Sequence, residues 1–337
     1  MNAPPTLPSA VDPARTKVTG QVKHTAGLVG CRFSPDGSAI FASSQDNSIV
    51  RWSLDLKTKT VLEGHKSWVR AIAFAGDLLL TADWAGRIIA WPWKDAAPKE
   101  RWSIAAHRGW CRALAVSPDG KILASCGNDL LVRLWSLPDG KPLATLSGHQ
   151  CHVYNVAFHP GGKALASADL KGNVKEWAVP GGAEKRTFDA TKVLHKYDTG
   201  FGADHGGVRS MAFDATGGLL ACAGITNVTN AFAGIGNPVV VLFDWATGKQ
   251  KALLRPKAAF NGTAWGVVFH PQGFILGVAG GNNGQLYSWV GADPLSKTML
   301  ALPNNARDLS LHPDGKQVVI PFDNGFVRIY EMASARP

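Results

Sequence analysis

The 337-residue chain lacks the features that mark membrane and secreted proteins. It has no stretch of about 18 apolar residues, so no transmembrane helix is expected. Its first residues, MNAPPTLPSAVDPARTK, contain several prolines and no apolar run of signal-peptide length. We therefore expect a cytoplasmic protein in which residues 1–16 form a disordered leader.

Cysteine is scarce, with only 5 residues, an odd number, and no two of them form a CxxC pair. All five lie in or next to predicted strands, which favours buried free thiols in a reducing compartment. One disulfide also remains compatible with the sequence. The five are Cys31, Cys111, Cys126, Cys151 and Cys222.

Charged residues make up only 18% of the chain, but they are unbalanced, with a net charge of +10 and a pI of about 9.4. Such an excess favours anionic partners, which include acidic peptides, phosphates, nucleic acid and anionic surfaces. The alternative is that scattered Lys and Arg serve solubility alone. No run of five basic residues occurs, so a basic tail is not expected.

Long helical windows rich in Leu, Glu and Lys are also absent, whereas Gly (37) and Pro (20) are plentiful, which favours a turn-rich β protein. Two series of residues, each at the end of a predicted strand, recur together seven times, mostly at intervals of about 42 residues. The first series is Phe33, Phe74, Val116, Phe158, Phe213, Phe269 and Leu311. The second is Trp52, Trp91, Trp135, Trp177, Phe243, Trp289 and Tyr330.

Within each unit the pattern indicates short strands joined by tight turns. SPDG occurs at 34–37 and 117–120, and HPGG, HPQG and HPDG occupy the same place in later units. Four short strands cannot bury both faces of their sheet alone, but sheets stacked around an axis can. The sequence therefore predicts one all-β propeller with seven blades.

These motifs resemble the WD40-repeat family over residues 17–330. The Gly-His pair stands at 64–65 and 148–149, and the turns and strand-ending Trp are in place, although the Trp-Asp dipeptide itself is missing. The resemblance implies a seven-bladed WD40-type β-propeller. We expect an N-terminal strand at 17–23 to complete the last blade and close the ring.

The expected domain is a single propeller over 17–332, followed by a tail at 333–337. We expect the first three blades at 24–64, 65–106 and 107–148, and the last four at 149–204, 205–256, 257–303 and 304–330. Two insertions, 186–204 and 223–238, lengthen loops of blades four and five, and long loops on a rigid scaffold are frequent binding elements.

The resemblance also implies a structural network of His, Ser or Thr, Asp and Trp in each regular blade. Blade three matches it fully, with the tetrad His107, Ser125, Asp129 and Trp135. In blades two and four the aspartate comes two residues earlier in the repeat than it does in blade three. Blades six and seven lack the histidine, so we expect blades five to seven to be less regular. Because such groups recur, they indicate a structural brace and not a catalytic triad.

No other pattern indicates a reaction or a cofactor. The sequence contains no phosphate-binding glycine loop, and no carboxylate pair stands out. Two His-containing clusters could hold a cation. In HQCH at 149–152, however, His149 belongs to the structural network and a zinc site needs further ligands, and the group His195, Asp198, Asp204 and His205 suits a polar surface loop better. We expect no enzyme activity, no cofactor and no metal.

The resemblance implies that the residues flanking the start of each inner strand surround the top of the central channel. Nine of them are suited to binding: Trp68, Arg70, Trp110, Arg112, His152, Tyr154, Arg209, Trp265 and Arg307. Either these Arg and aromatic side chains stack on one another and fill the rim, or they recognise an anion there. Arg, Trp and Tyr are also the residue types that dominate binding hot spots.

Taken as a binding site, this rim predicts a non-enzymatic interaction scaffold for an acidic or phosphorylated peptide segment. The alternative is nucleic acid or another polyanion at the same rim, and a propeller enzyme comes third. The absence of a Lys/Arg stripe along the chain disfavours nucleic acid. We expect the protein to be monomeric on its own.

Overall fold

The computed structural model describes residues 10–230 and 235–335, and its strands form seven four-stranded sheets arranged as the blades of a propeller. The predicted fold class is thereby confirmed.

The chain begins with β1 (Val11–Lys23). Blade one contains β2 (Leu28–Phe33), β3 (Ala39–Ser44), β4 (Ile49–Ser53) and β5 (Lys59–Leu62). Blade two contains β6 (Val69–Ala75), β7 (Leu78–Asp83), β8 (Arg87–Pro92) and β9 (Trp102–Ala105).

The next two blades follow the same order of strands. Blade three contains β10 (Cys111–Val116), β11 (Ile122–Gly127), β12 (Val132–Ser136) and β13 (Pro142–Leu146). Blade four contains β14 (Val153–Phe158), β15 (Ala164–Asp169), β16 (Asn173–Ala178) and β17 (Glu184–Asp189). A short helix and a hairpin then precede blade five: α1 (Thr191–Leu194), β18 (His195–Asp198) and β19 (Ala203–Gly206).

The last three blades complete the ring. Blade five contains β20 (Val208–Phe213), β21 (Leu219–Asn230), β22 (Ile235–Asp244) and β23 (Gln250–Leu254). Blade six contains β24 (Gly262–Phe269), β25 (Phe274–Gly281), β26 (Gly284–Val290) and β27 (Thr298–Leu302). Blade seven contains β28 (Ser310–Leu311), β29 (Gln317–Pro321) and β30 (Phe326–Ser334), with β1 as its outer strand.

The ring is closed by pairing the two ends of the chain, as predicted. β1 runs antiparallel to β30, with Lys17 opposite Glu331 and Lys23 opposite Phe326. The strand begins earlier than expected, because residues 11–16, which the sequence assigned to a leader, pair with the end of β30 around an irregularity next to Pro13. Residues 1–9 of that predicted leader lie outside the described residues.

The two insertions are structured over most of their length. Residues 195–206 form the β18–β19 hairpin, so the boundary expected between blades four and five, at residue 204, falls inside β19. Residues 223–238 extend the β21–β22 hairpin, apart from 231–234, which lie outside the described residues. Within the part of the chain that the structure covers, α1 is the only helix, and its four residues are far too few to cross a membrane.

The core lies between neighbouring blades rather than at the centre of the ring. In the cluster between blades two and three, Leu80 and Ile88 pack with Leu123, Cys111 and Trp135. Similar clusters join the other blades, because each sheet buries its two faces against the sheets beside it. All five cysteines are free thiols, four of them buried and Cys151 half-buried.

The tetrad residues of blade three lie in one buried hydrogen-bonded network. His107 Nδ1 is 2.8 Å from Asp129, and its Nε2 is 2.8 Å from the hydroxyl of Ser125. The same hydroxyl accepts a hydrogen bond from the indole of Trp135 at 2.8 Å. Because Trp135 donates to it, the Ser125 hydroxyl can donate its own proton to Nε2, while Nδ1 faces both Asp129 and the guanidinium of Arg133, each at 2.8 Å.

Blades two and four contain complete networks as well, although their acids come two residues early. Asp83 and Asp169 end β7 and β15, and they reach Nδ1 of His65 and His149 at 2.8 and 3.0 Å. The hydroxyls are supplied by Thr81 and Ser167, and the indoles by Trp91 and Trp177. In blade one, where Ala42 has no hydroxyl, the ring of His24 meets Asp46 through Nε2 instead, at 2.6 Å.

A second set of histidines, which the sequence did not suggest, braces the opposite end of the propeller. Each stands first in an HPxG turn and contacts a glycine carbonyl of the next blade. His159 reaches Gly217 at 3.1 Å, and His270 reaches Gly315 at 2.7 Å. His312 reaches Gly37 at 3.2 Å, across the point where the ring closes.

The expected irregularity of blades five to seven is found mainly in blade seven. Its inner strand β28 has only two residues, and the ladder stops where Pro321, which has no N–H to donate, would lie opposite Asp308. Blade six is regular, with strands of eight, eight, seven and five residues.

The tetrad generates a stability prediction. Replacing Ser125 with Ala leaves buried groups of His107 and Trp135 without their partner, so the free energy of unfolding should fall by about 1–3 kcal/mol. Denaturant titration measures this, with Ser147→Ala as the control because Ser147 is exposed. Equal stability of the two variants would contradict a structural role for the network.

The tetrad also generates a pH prediction. Burial lowers the pKa of His107, and this outweighs the raising effect of Asp129. The unfolded chain therefore binds more protons than the folded one as the pH falls through about 6.5, so stability should decrease from about pH 7 to about pH 5. Denaturant titrations at several pH values should show that the free energy of unfolding of His107→Gln decreases less than that of wild type. If both proteins lose stability equally as the pH falls, His107 is not the cause of the decrease.

Candidate functional site

The starts of the inner strands converge at one end of the central channel. Inner strands of neighbouring blades pack side by side from β2 through β24, and Gly266 of β24 approaches Leu309 just before β28. Between their starts lies a cavity of about 300 Å³. We call it the channel mouth; it is lined by Leu28, Val29, Gln45, Trp68, Arg70, Trp84, Trp110, Arg112, Tyr154, Arg209, Trp265 and Arg307.

Eight of the nine rim residues inferred from the sequence line the channel mouth. His152 does not line it; it lies half-buried just before β14, and burial followed by the charge of Arg112 lowers its pKa. Its backbone carbonyl accepts a hydrogen bond from Leu170.

One side of the channel mouth is a stack of three indole rings. Trp84 lies against Trp110 with ring centroids 3.8 Å apart and planes within 5°. On its other face is Trp68, at 4.6 Å and 36°. Trp68 is exposed, while the other two are half-buried, so the stack presents an apolar surface to solvent at blades two and three.

Trp84 is not among the rim residues inferred from the sequence, because that inference covered only the residues around the inner strands. It follows the second strand of its blade, and its N–H bonds to the carbonyl of Trp68. Gln45 and Asn128 occupy the same place in their blades and bond to Gly27 and Trp110. Comparing the residue after each second strand would have revealed this second ring of side chains.

From Trp110 onward, guanidinium groups and rings alternate around the rim. Arg112 lies over both Trp110 and Tyr154, at 4.6 and 3.9 Å from the ring centroids. Arg209 lies over Tyr154 at 4.5 Å and over Trp265 at 5.4 Å. Arg307 then lies over Trp265 at 5.2 Å. The arc is continuous across blades three to seven.

The rim arginines have few anionic partners. In the described residues no carboxylate lies within 4 Å of Arg70, Arg112 or Arg209, and Arg307 is 3.7 Å from Asp323. Arg112 donates to the side-chain oxygen of Asn128 at 2.6 Å. The Nε of Arg209 is buried with no acceptor in the described part of the chain. The channel mouth therefore holds positive charge that its own residues leave uncompensated.

Arg70 is held by the backbone of the neighbouring blade. It donates to the carbonyl of Val29 at 3.2 Å, which links blades two and one. Burial is the main cause that lowers its pKa, to about 10, and the charges of Arg209, Arg112 and Arg32 act in the same direction, while Asp308 opposes them. An arginine with this pKa is still protonated at neutral pH.

The same field acts on Tyr154, which lies between two guanidiniums. Burial alone would raise its pKa, but Arg209 and Arg112 outweigh burial and lower it. The phenol is consequently a better hydrogen-bond donor than an ordinary tyrosine.

The structure does not support a cation site at either of the two His-containing clusters of the sequence. His195 Nε2 is 2.7 Å from Asp204, and that carboxylate also meets Lys171 at 3.3 Å, so its charge is already balanced. No group of three metal-binding side chains occurs within residues 10–230 and 235–335.

Comparison with known families supports the repeat pattern. The family profile described as WD domain, G-beta repeat matches residues 16–53, 56–91, 98–136 and 140–178, which correspond to the first four repeats. No curated protein matches the chain.

The indole stack generates a spectroscopic prediction. Indoles that are parallel and 3.8 Å apart couple their transitions, so the wild-type protein should show an exciton couplet in its circular dichroism spectrum. Trp84→Ala should abolish this couplet, because both ring pairs contain Trp84. Trp102→Ala serves as the control, since that indole lies in the outer strand β9. A couplet that survives in Trp84→Ala would contradict the stacking.

Proposed function

The chain belongs to the WD40-repeat family, whose propellers are typical protein-interaction scaffolds, and we propose that its channel mouth binds an acidic or phosphorylated peptide segment. The observation that carries this proposal is the continuous arc of guanidiniums and aromatic rings at the end of the channel. We propose that the protein acts by binding alone, without catalysis.

Stacking and anion binding are compatible at this rim. A guanidinium that lies over a ring uses its face, whereas its N–H donors point outward in its own plane. Arg112 and Arg209 are each held between two rings, at 3.9–5.4 Å, so they are positioned before a ligand arrives. Less side-chain entropy is then lost on binding, which favours affinity.

The need for an anion follows from the charge at the channel mouth. Arg70, Arg112 and Arg209 approach one another without a carboxylate within 4 Å in the described residues. Burial and, after it, the neighbouring guanidiniums lower the pKa of Arg70, and Arg209 and Arg112 lower the pKa of Tyr154 against the effect of burial. Carboxylate or phosphate groups would relieve this repulsion and accept two hydrogen bonds from each guanidinium fork.

A peptide suits the two halves of the channel mouth better than a simple ion does. The indoles of Trp68 and Trp84 offer apolar contact on one side, and the guanidiniums of blades five and seven offer charge on the other. A segment with an apolar side chain next to an acidic or phosphorylated one would contact both halves. Aromatic and arginine side chains of this kind dominate the energy of protein interfaces.

The histidine networks give no support to an enzymatic role. His65, His107 and His149 are buried, each bonded to a carboxylate and a hydroxyl inside its blade. A general base must reach the proton that it removes, and these imidazoles have both nitrogens occupied.

The test is binding of short fluorescent peptides that carry phosphoserine, glutamate or serine next to a leucine. Wild type should bind the first two and not the serine peptide. Arg307→Gln should weaken binding about tenfold or more, because it removes a charge-assisted hydrogen bond at the channel mouth. Fluorescence anisotropy measures the affinities.

The matched control is Arg101→Gln, which removes the same charge from an exposed position before β9. It should leave the affinity unchanged, and all variants should melt within a few degrees of wild type. Equal weakening by both variants would mean that only net charge matters. Tighter binding of single-stranded oligonucleotides than of any peptide, with a steep dependence on salt, would instead favour nucleic acid.

A further inference from the structure

A second cavity lies deeper in the channel, below the channel mouth. Its volume is about 120 Å³, and Arg70, Arg112 and Arg209 reach it as well as the channel mouth. Arg32, Asn155 and Asp308 line it but not the channel mouth. We call this cavity the lower chamber. It is large enough for several water molecules, because one water molecule needs only about 10–15 Å³.

The lower chamber holds more positive charge than its own residues balance. Among the described residues Asp308 is the only carboxylate that lines it, and one of its oxygens already accepts from Arg32 at 2.6 Å and from the N–H of Cys31 at 3.2 Å. The other three guanidiniums have no carboxylate within 4 Å in the described residues. Buried charge of one sign is costly unless something compensates it.

Residues that line this space also carry hydrogen-bond donors without an acceptor in the described part of the chain. The Nε of Arg209 is buried and has no acceptor among the described residues. Ser210, which also lines the chamber, accepts from the N–H of Val267 at 3.2 Å, so its own hydroxyl proton remains available to donate. Asn155 is held in place by a hydrogen bond to the carbonyl of Arg209 at 3.1 Å.

We propose that the lower chamber binds a tetrahedral oxyanion, either phosphate itself or a phosphate monoester. Arg70, Arg112 and Arg209 come from blades two, three and five, so they approach the centre from three directions. A tetrahedral group presents oxygens in several directions and carries more charge than a planar carboxylate, and it therefore matches three guanidiniums better.

This site goes beyond the proposed peptide function, because the chamber can hold phosphate while the channel mouth is empty. The two sites share three arginines and Trp265 but differ in their other residues. Asp308 lines only the chamber, and Trp84 lines only the channel mouth. Variants at these two positions separate the two proposals.

The test is calorimetric titration of the full chain with inorganic phosphate in a chloride buffer. Asp308→Asn keeps the shape of the side chain and its bond to Arg32, but it removes the one competing negative charge. It should tighten phosphate binding roughly threefold or more. Loss of structure cannot tighten binding, so this result cannot arise from misfolding. Arg209→Gln should weaken binding about tenfold, and Trp84→Ala should leave it unchanged.

The source of the oxyanion is distinguished by adding the phosphoserine peptide. If inorganic phosphate displaces the peptide, the chamber receives the phosphate group of the peptide; if both bind together, free phosphate is its ligand. Either result supports the chamber. No binding at millimolar phosphate, or the same affinity in Asp308→Asn as in wild type, would overturn the inference, whether or not acidic peptides bind the channel mouth.

Discussion

The structure depends on the pairing of β1 with β30, because it completes the last sheet with the first strand of the chain and so joins the two ends of the row of seven sheets. Lys17 and Glu331 lie opposite each other although they stand near opposite ends of the sequence. Without β1, blade seven would lack its outer strand and leave β30 as an open edge. The inner strands can surround one axis only in a closed ring, so the channel and its mouth are consequences of the same closure.

Convergence on that axis explains why Arg112 and Arg209 are paired with rings and not with acids. Seven strand starts crowd into a small opening, where a carboxylate for each arginine would add as many buried charges as it balanced. An aromatic ring holds a guanidinium by its face, with a contribution of about 0.5–2 kcal/mol, and adds no charge. The alternation of Arg112, Tyr154, Arg209 and Trp265 therefore orders the rim while it preserves the positive field.

Periodicity predicted the seven blades and, because the last unit has only three strands, the closure of the ring. The resemblance to the WD40-repeat family located most of the rim. Trp84 stands at a position that also repeats, but the turns after the second strands were left out. Features that arise between blades were not predictable in this way, and an example is the contact of Asp308 with Arg32 across the closure of the ring. Residues 11–16 were assigned to a leader since a proline-rich stretch hides the pairing that β30 provides.

The distribution of the histidines explains how an uneven set of repeats supports an even ring. Blades two to four have complete tetrads. Blades six and seven lack the tetrad histidine, but His270 and His312 bond to the following blades at the opposite end. Blades two to four are thus braced from within, whereas blades six and seven are braced to their neighbours at the opposite end of the propeller.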